Sequence, residues 1–191
     1  MPEICFASNN SHKLEEVRRL IPGFRILTLA EIGCSVELPE EQDTISGNSR
    51  QKAEFVLKHY GVTCFADDSG LEVAALGGAP GVHSAYYGGP QRDASLNTAR
   101  LLRELEGRQE RSARFITVIN LASPASVLQF EGVLEGTIAH APRGNQGFGY
   151  DPVFIPQGYD RTLAEMTMEE KNSISHRFRA VSALAAYLRR D

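Results

Sequence analysis

Asp67 and Asp68 stand side by side, after the apolar Phe65 and Ala66 and before Ser69 and Gly70. Two adjacent carboxylates at a strand end cost free energy unless a cation or hydrogen-bond donors meet them. A bound divalent metal is the first chemistry that answers such a pair. Asp, Ser and Gly are also the residues that turns favour, so these residues alone fit a bare turn as well.

Four further polar clusters fall on stretches that read as loops. Ser8, Asn9, Asn10, Ser11, His12 and Lys13 precede a helical pattern. Free N–H groups at a helix start, with a Lys beside them, favour an anion such as phosphate. Leu38, Pro39, Glu40, Glu41, Gln42 and Asp43 form an acidic loop that is either solvated or supplies a metal ligand. The run from Gly144 to Asp151 sets Phe148 and Tyr150 among Gly147 and Gly149, so that a planar ligand can approach backbone and ring face closely. Stacking a base on an aromatic ring contributes about 1 to 3 kcal/mol. Lys171, Ser175, His176 and Arg177 supply cations and donors in a helix-to-helix turn. Arg177, which only donates, suits a carbonyl oxygen or a surface ion pair.

Elements that position these clusters are legible in the periodicity. Ile4 to Ala7 reads as a strand, followed by turn and cap residues and a helix bearing Leu14, Val17, Leu20 and Ile21. A second helix spans about Ser46 to His59, with Gly61 as its stop. Thr63 to Ala66 is the strand that ends in the carboxylate pair. Five glycines and two prolines make Gly77 to Pro90 a loop. Asp93 caps a helix carrying Leu96, Leu101, Leu102 and Leu105. Arg114 to Ala122 and Val127 to Glu135 form a hairpin turning at Ser123 and Pro124. A short strand at Pro152 to Ile155, a capping box of Thr167 with Glu170, and a last helix with Val181, Leu184, Ala185 and Leu188 complete the chain. Strands and helices alternate early and a hairpin occupies the middle. The expected fold is α/β, a mixed β-sheet flanked by helices in one domain over residues 1–191.

Composition excludes several classes. The 191 residues are 42% hydrophobic and 23% charged, an ordinary globular balance. A formal net charge of −4 argues against a nucleic-acid coat, which relies on Lys and Arg excess. The apolar runs are far shorter than the roughly 20 residues that span a bilayer, so the chain is expected to be soluble, intracellular and free of membrane. Cys5, Cys34 and Cys64 are odd in number and widely separated, which suggests buried free thiols. No GxxxxGK[ST] occurs, and no GxGxxG follows a strand, which argues against a P-loop NTPase or a dinucleotide-dependent dehydrogenase.

Taken in order, SerAsnAsnSerHisLys at 8–13, PheAlaAspAspSerGlyLeu at 65–71, LeuGlyGlyAlaProGly at 76–81, GlyPheGlyTyrAspPro at 147–152 and SerHisArg at 175–177 resemble the inosine triphosphate pyrophosphatase family. The resemblance covers nearly the whole chain. It implies cytoplasmic, usually dimeric house-cleaning enzymes whose curved mixed sheet forms two lobes around a nucleotide-binding cleft. They hydrolyse ITP, dITP or XTP to the monophosphate and pyrophosphate with Mg²⁺.

By that resemblance Asp68 and Glu40 are the metal carboxylates, and Asp68 also accepts the proton of the attacking water. Lys13, Lys52 and Lys171 neutralise phosphates, while Ser8, Asn10 and Ser69 hydrogen-bond them; Asn9, Ser11 and His12 belong to the same loop. Asp67 orients its neighbour or balances a Lys. Phe148 stacks on the purine, Gly149, Tyr150 and Asp151 share its loop, and His176 and Arg177 read the carbonyl at position 6. Two departures stand out: Tyr86 follows Ser84 and Ala85 where the family often has Arg, and Glu41 rivals Glu40 for the metal. A pyrophosphatase for pyrimidine or methylated nucleotides and a non-catalytic purine-nucleotide sensor are the alternative functions.

Overall fold

A computed structural model describes residues 1–190, and among these every side chain except that of His12. Six strands, β1 (Glu3–Phe6), β2 (Arg25–Leu27), β3 (Cys64–Val73), β4 (Ser112–Ala122), β5 (Val127–Ile138) and β6 (Phe154–Pro156), form one sheet in the order β2-β1-β3-β4-β5-β6. β1 runs parallel to β2 and β3, with Cys5 opposite Cys64, whereas β5 and β6 are antiparallel. The helices are α1 (Ser11–Leu20), α2 (Ile45–Tyr60), α3 (Ala94–Glu104), α4 (Met168–Ile174) and α5 (His176–Leu188). The fold is therefore α/β with a mixed sheet, as expected.

The chain divides into two compact units, the first made of residues 1–68, 117–132 and the stretch from Arg179, the second of 69–116 and 133–178. In the first, strand periodicity sorts the core into two faces. Ile4, Phe6 and Phe65 pack with Val17 of α1, with Ile21 just after it, and with Ala180, Val181 and Leu184 of α5. Phe6 stacks on Phe65 with ring centroids 4.8 Å apart. The alternate residues Cys5, Ala7, Cys64 and Ala66 are small and meet Ala53 and Val56 of α2. Small side chains on both surfaces let α2 lie close against β3. All three cysteines are buried free thiols in this second cluster.

The second unit has its own core of Leu71, Leu101, Leu105, Phe115, Leu134, Val153, Phe154 and Met166. Removing a ring such as Phe154, fully buried, leaves a cavity that costs about 3 to 5 kcal/mol.

Two expectations are corrected, and one strand was not foreseen. β3 does not end at Ala66 but continues through Asp67 and Asp68 to Val73, so the carboxylates lie in mid-strand. β2, only three residues long, carries too few residues to show a period. Within Gly77 to Pro90, a 3-10 turn covers Gly81–Tyr86, and Pro80 bridges to Glu72.

Candidate active site

In the first unit the carboxylate pair is resolved by the pleat. Successive strand residues point to opposite faces. Asp67 shares the face of Phe65 and receives Lys13 Nζ of α1 at 2.7 Å, with its side chain only 4% exposed. Asp68 shares the face of Ala66, toward α2, where Lys52 Nζ stands 3.9 Å from its Oδ1. Each charge has its own lysine, so the strand need not turn out to solvent.

Lys52 also donates to Glu40 Oε1 at 2.6 Å, so Glu40 and Asp68 converge on one ammonium whose side chain is 10% exposed. Glu41 is held elsewhere: its Oε2 accepts from Gln51 Nε2 at 3.1 Å. Two carboxylates around a positive charge offer an all-oxygen donor pair with a half-exposed member, a set that suits a hard divalent cation completed by phosphates and waters. Glu40 and Asp68 fit such an ion. Among the described residues no group of three or more His, Cys, Asp or Glu side chains that could hold a metal gathers here or anywhere else.

At the start of α1, Asn10 is the cap, its Oδ1 accepting the Lys13 N–H at 3.2 Å, while Ser8 Oγ accepts the Asn10 N–H at 3.2 Å. Asn9, Asn10 and Ser11 are exposed there and Ser8 is half-buried. Together they form the anion-favouring helix start that the sequence suggests. The expectation for the His12 side chain lies outside the described residues.

In the second unit Asp151 organises the glycine-aromatic loop. Its Oδ2 accepts the Phe148 N–H at 2.8 Å and the buried ammonium of Lys171. Lys171 Nζ lies 4.5 Å from the centroid of the Phe148 ring, which is 68% exposed. Lys171 therefore sits in α4 against the aromatic loop, and not in a helix-to-helix turn. Gly147 is required beside it, since a Cβ there would sit 2.1 Å from Asp151 Oδ2.

Tyr150 donates to the Ser84 carbonyl at 2.7 Å, and burial pushes its phenol above the usual tyrosine range. The Ser84 hydroxyl accepts from Leu71 N at 2.9 Å, which ties the 3-10 turn to β3. Tyr86 bonds His83 Nδ1 at 3.2 Å. Ser69 is half-buried on β3; His176 opens α5 and stacks on Phe115 at 4.9 Å, and Arg177 follows it.

A groove of about 380 Å³ runs beside Phe148, lined by Ser95, Thr98, Asn145 and Gly149 among others. A larger hollow of about 660 Å³ lies at Arg111 and His140. There the Arg111 guanidinium is spent on the carbonyls of Leu105, Ile138 and Ala139, so the hollow is not a built anion site.

The Ham1 family model matches residues 4–187. The chain belongs to the Ham1 family. Among its relatives, the dITP/XTP pyrophosphatase of Porphyromonas gingivalis is 52% identical over 98% of both chains, and that of Bacillus subtilis 42% identical over 98% of both. The solved structure of a HAM1 protein from Coxiella burnetii matches over 100% of both chains at 39% identity, with a TM-score of 0.95. A pyrophosphatase family of this kind implies a divalent-metal requirement, and a nucleoside triphosphate substrate fits it.

Several contributors escaped the sequence reading. Asn48, Ser49, Gln51 and Asn120 are polar residues inside a helix and a strand, and Gly47 is a glycine within a helix. For Asn48 and Ser49 a signal was present: with Ile45, Ala53, Val56 and the already named Lys52 they are the buried residues of α2, in helical period.

Proposed function

We propose that this Ham1-family chain hydrolyses the non-canonical purine nucleoside triphosphates ITP, dITP and XTP to monophosphate and pyrophosphate. It acts as one catalytic domain that removes them from the cytoplasmic nucleotide pool. The observation that carries the reading is the convergence of Glu40 and Asp68 on Lys52. A protein that only sensed nucleotides would have no use for two carboxylates held together against a single ammonium.

The divalent ion is Mg²⁺, with Glu40 and Asp68 as its protein ligands; when bound it neutralises phosphate charge and makes water more acidic. Asp68 accepts the proton of the water that attacks the α phosphorus. Lys52 offsets charge on the leaving pyrophosphate, and Lys13, held by Asp67, keeps a positive charge at the phosphate-binding helix start. Ser8, Asn9, Asn10, Ser11 and Ser69 donate to phosphate oxygens, with His12 in the same loop.

Phe148 stacks on the base, with Gly149 and Tyr150 shaping its loop. Lys171 and Asp151 hold that ring in place. His176 and Arg177 read the carbonyl at position 6, which accepts from the donor-only guanidinium as the amino group of adenine cannot. Rejection of such a mismatched analogue reaches as much as ~10⁴ to 10⁵ in specificity. The active species is a homodimer. No nucleic acid or membrane is a partner; the net charge of −4 supports the first of these.

Incubation with ITP and Mg²⁺ should give IMP and pyrophosphate, and orthophosphate without pyrophosphate would overturn the assignment. Asp68→Asn should abolish turnover while the circular-dichroism spectrum is retained. Turnover close to wild type in that variant would remove Asp68 as the base.

A further inference from the structure

Three residues of α2 grip three successive residues of the acidic loop. Lys52 donates to the Glu40 carboxylate at 2.6 Å. Gln51 holds Glu41 at both ends: its Oε1 accepts the Glu41 backbone N–H at 2.9 Å and its Nε2 donates to Glu41 Oε2 at 3.1 Å. Asn48 Oδ1, on a residue only 5% exposed, accepts the Gln42 N–H at 2.8 Å.

The loop also lies flat against the helix start. A Cβ on Gly47 would stand 2.7 Å from Gln42 Cβ and 2.8 Å from Thr44 Oγ1, the oxygen that caps α2. Neither atom is the far end of a flexible chain, so the close approach needs glycine there.

Residues 37–42 have no helix or strand of their own to fix them. Their backbone direction is set by these side-chain bonds instead. Two neighbouring glutamates in an unclamped loop would compete for any cation near Asp68. Here the Glu41 side chain is tied to Gln51, while Glu40 is directed to Lys52, the ammonium that also stands 3.9 Å from Asp68 Oδ1.

We propose that Asn48 and Gln51 are positioning residues that lock the loop with Glu40, and not Glu41, facing Asp68, and thereby set the affinity for a divalent cation. This rests on the metal-dependent reading above. Groups that hydrogen-bond around metal ligands typically change metal affinity about 10- to 100-fold when removed, because the ligand must then be ordered at the moment of binding. The helix contributes through backbone bonds to the loop, so the effect requires no contact between Asn48 or Gln51 and the ion.

The test titrates Mn²⁺ into the full chain, following its EPR signal, alongside ITP turnover and the melting temperature. Gln51→Ala and Asn48→Ala should each weaken Mn²⁺ binding about 10-fold, Glu40→Gln should weaken it further, and Glu41→Gln should stay within about twofold of wild type. Gly47→Ala, which displaces the same loop from the other side, should weaken binding too and stands in if Asn48→Ala does not fold.

Wild-type Mn²⁺ affinity in Gln51→Ala together with Asn48→Ala or Gly47→Ala overturns the proposal. So does a Glu41→Gln loss equal to that of Glu40→Gln. A wild type that binds no Mn²⁺ and turns ITP over no faster with it overturns the metal-dependent reading itself. A wild type that binds Mn²⁺ with variants indistinguishable from it overturns only the clamp.

Discussion

Asp67 and Asp68 are neighbours in sequence but leave β3 on opposite faces, the first toward Lys13 of α1 and the second toward Lys52 of α2. The pleat converts a repelling pair into two separately compensated charges. They answer different demands. Asp67 is buried and holds a lysine; Asp68 is more exposed and stays within reach of Glu40's lysine.

That division predicts unequal costs for the two lysines. Lys13→Met takes the ammonium from a carboxylate that is 4% exposed, and should lower the unfolding free energy by about 1 to 3 kcal/mol. Lys52→Met should cost less stability, because Glu40, at 47% exposure, is solvated without it. Its turnover should fall steeply nonetheless. Urea titrations of both variants decide the order, and a larger loss in Lys52→Met would refute it.

Lys171 stands in the reverse situation, since both it and Asp151 are under a tenth exposed. Lys171→Met would leave the Asp151 carboxylate buried without its cation, which typically costs 3 to 5 kcal/mol. Asp151→Asn keeps an oxygen for the Phe148 N–H but leaves the Lys171 ammonium buried without its anion, so it should cost about as much. The comparison is again read from urea unfolding. A loss less than half as large in Asp151→Asn would mean that the oxygen, and not its charge, sustains the loop.

How far the site could be read from sequence follows from these contacts. β1, α1, α2 and the β4–β5 hairpin were legible because Leu14, Val17, Ala53, Val56 and the alternating Leu128, Phe130 and Leu134 keep a clean period. β3 was cut short because charged residues in mid-strand look like a turn until their partners are known. Those partners, Lys13 and Lys52, are distant in sequence, and no local pattern announces them. Glu40 against Glu41 was undecidable for the same reason: the choice is made by Gln51, ten residues away from Glu41. The place of Lys171 depended on Asp151, twenty residues upstream, and on the Phe148 ring.

Two capping boxes give the protein a defined acid sensitivity. Glu165 accepts the Thr162 N–H and Glu170 the Thr167 N–H, and those backbone bonds, with Arg143 and Arg161 nearby, hold both carboxyls below the usual glutamate range. A depressed folded-state value means that the stabilisation is complete above the unfolded value of 4.5 and is lost as pH falls through the lower folded one. The wild-type melting temperature should therefore drop below about pH 4.5, while a Glu165→Gln, Glu170→Gln double variant starts lower at neutral pH and declines less. Parallel curves would show that these carboxyls carry none of the acid limb.

Ser49 has the most concentrated set of bonds behind the site. Its hydroxyl donates to the Ala66 carbonyl of β3 at 2.8 Å and accepts from Asn120 N and Nδ2 of β4 at 3.0 and 3.1 Å. A helix side chain thus carries a link between two neighbouring strands, one residue before Asp67 and one helical turn before Lys52. The serine is fully buried and Asn120 is 2% exposed, so water is not at hand to replace the lost partners. Ser49→Ala removes all three bonds and should cost about 1 to 3 kcal/mol, the range for buried polar groups left unsatisfied. The loss should appear in hydrogen exchange as faster exchange at Asn120 than at Ile119, because only the Asn120 amide loses Ser49 as its acceptor. Unchanged protection at Asn120 would mean that β3 and β4 close up and pair directly once the hydroxyl is gone.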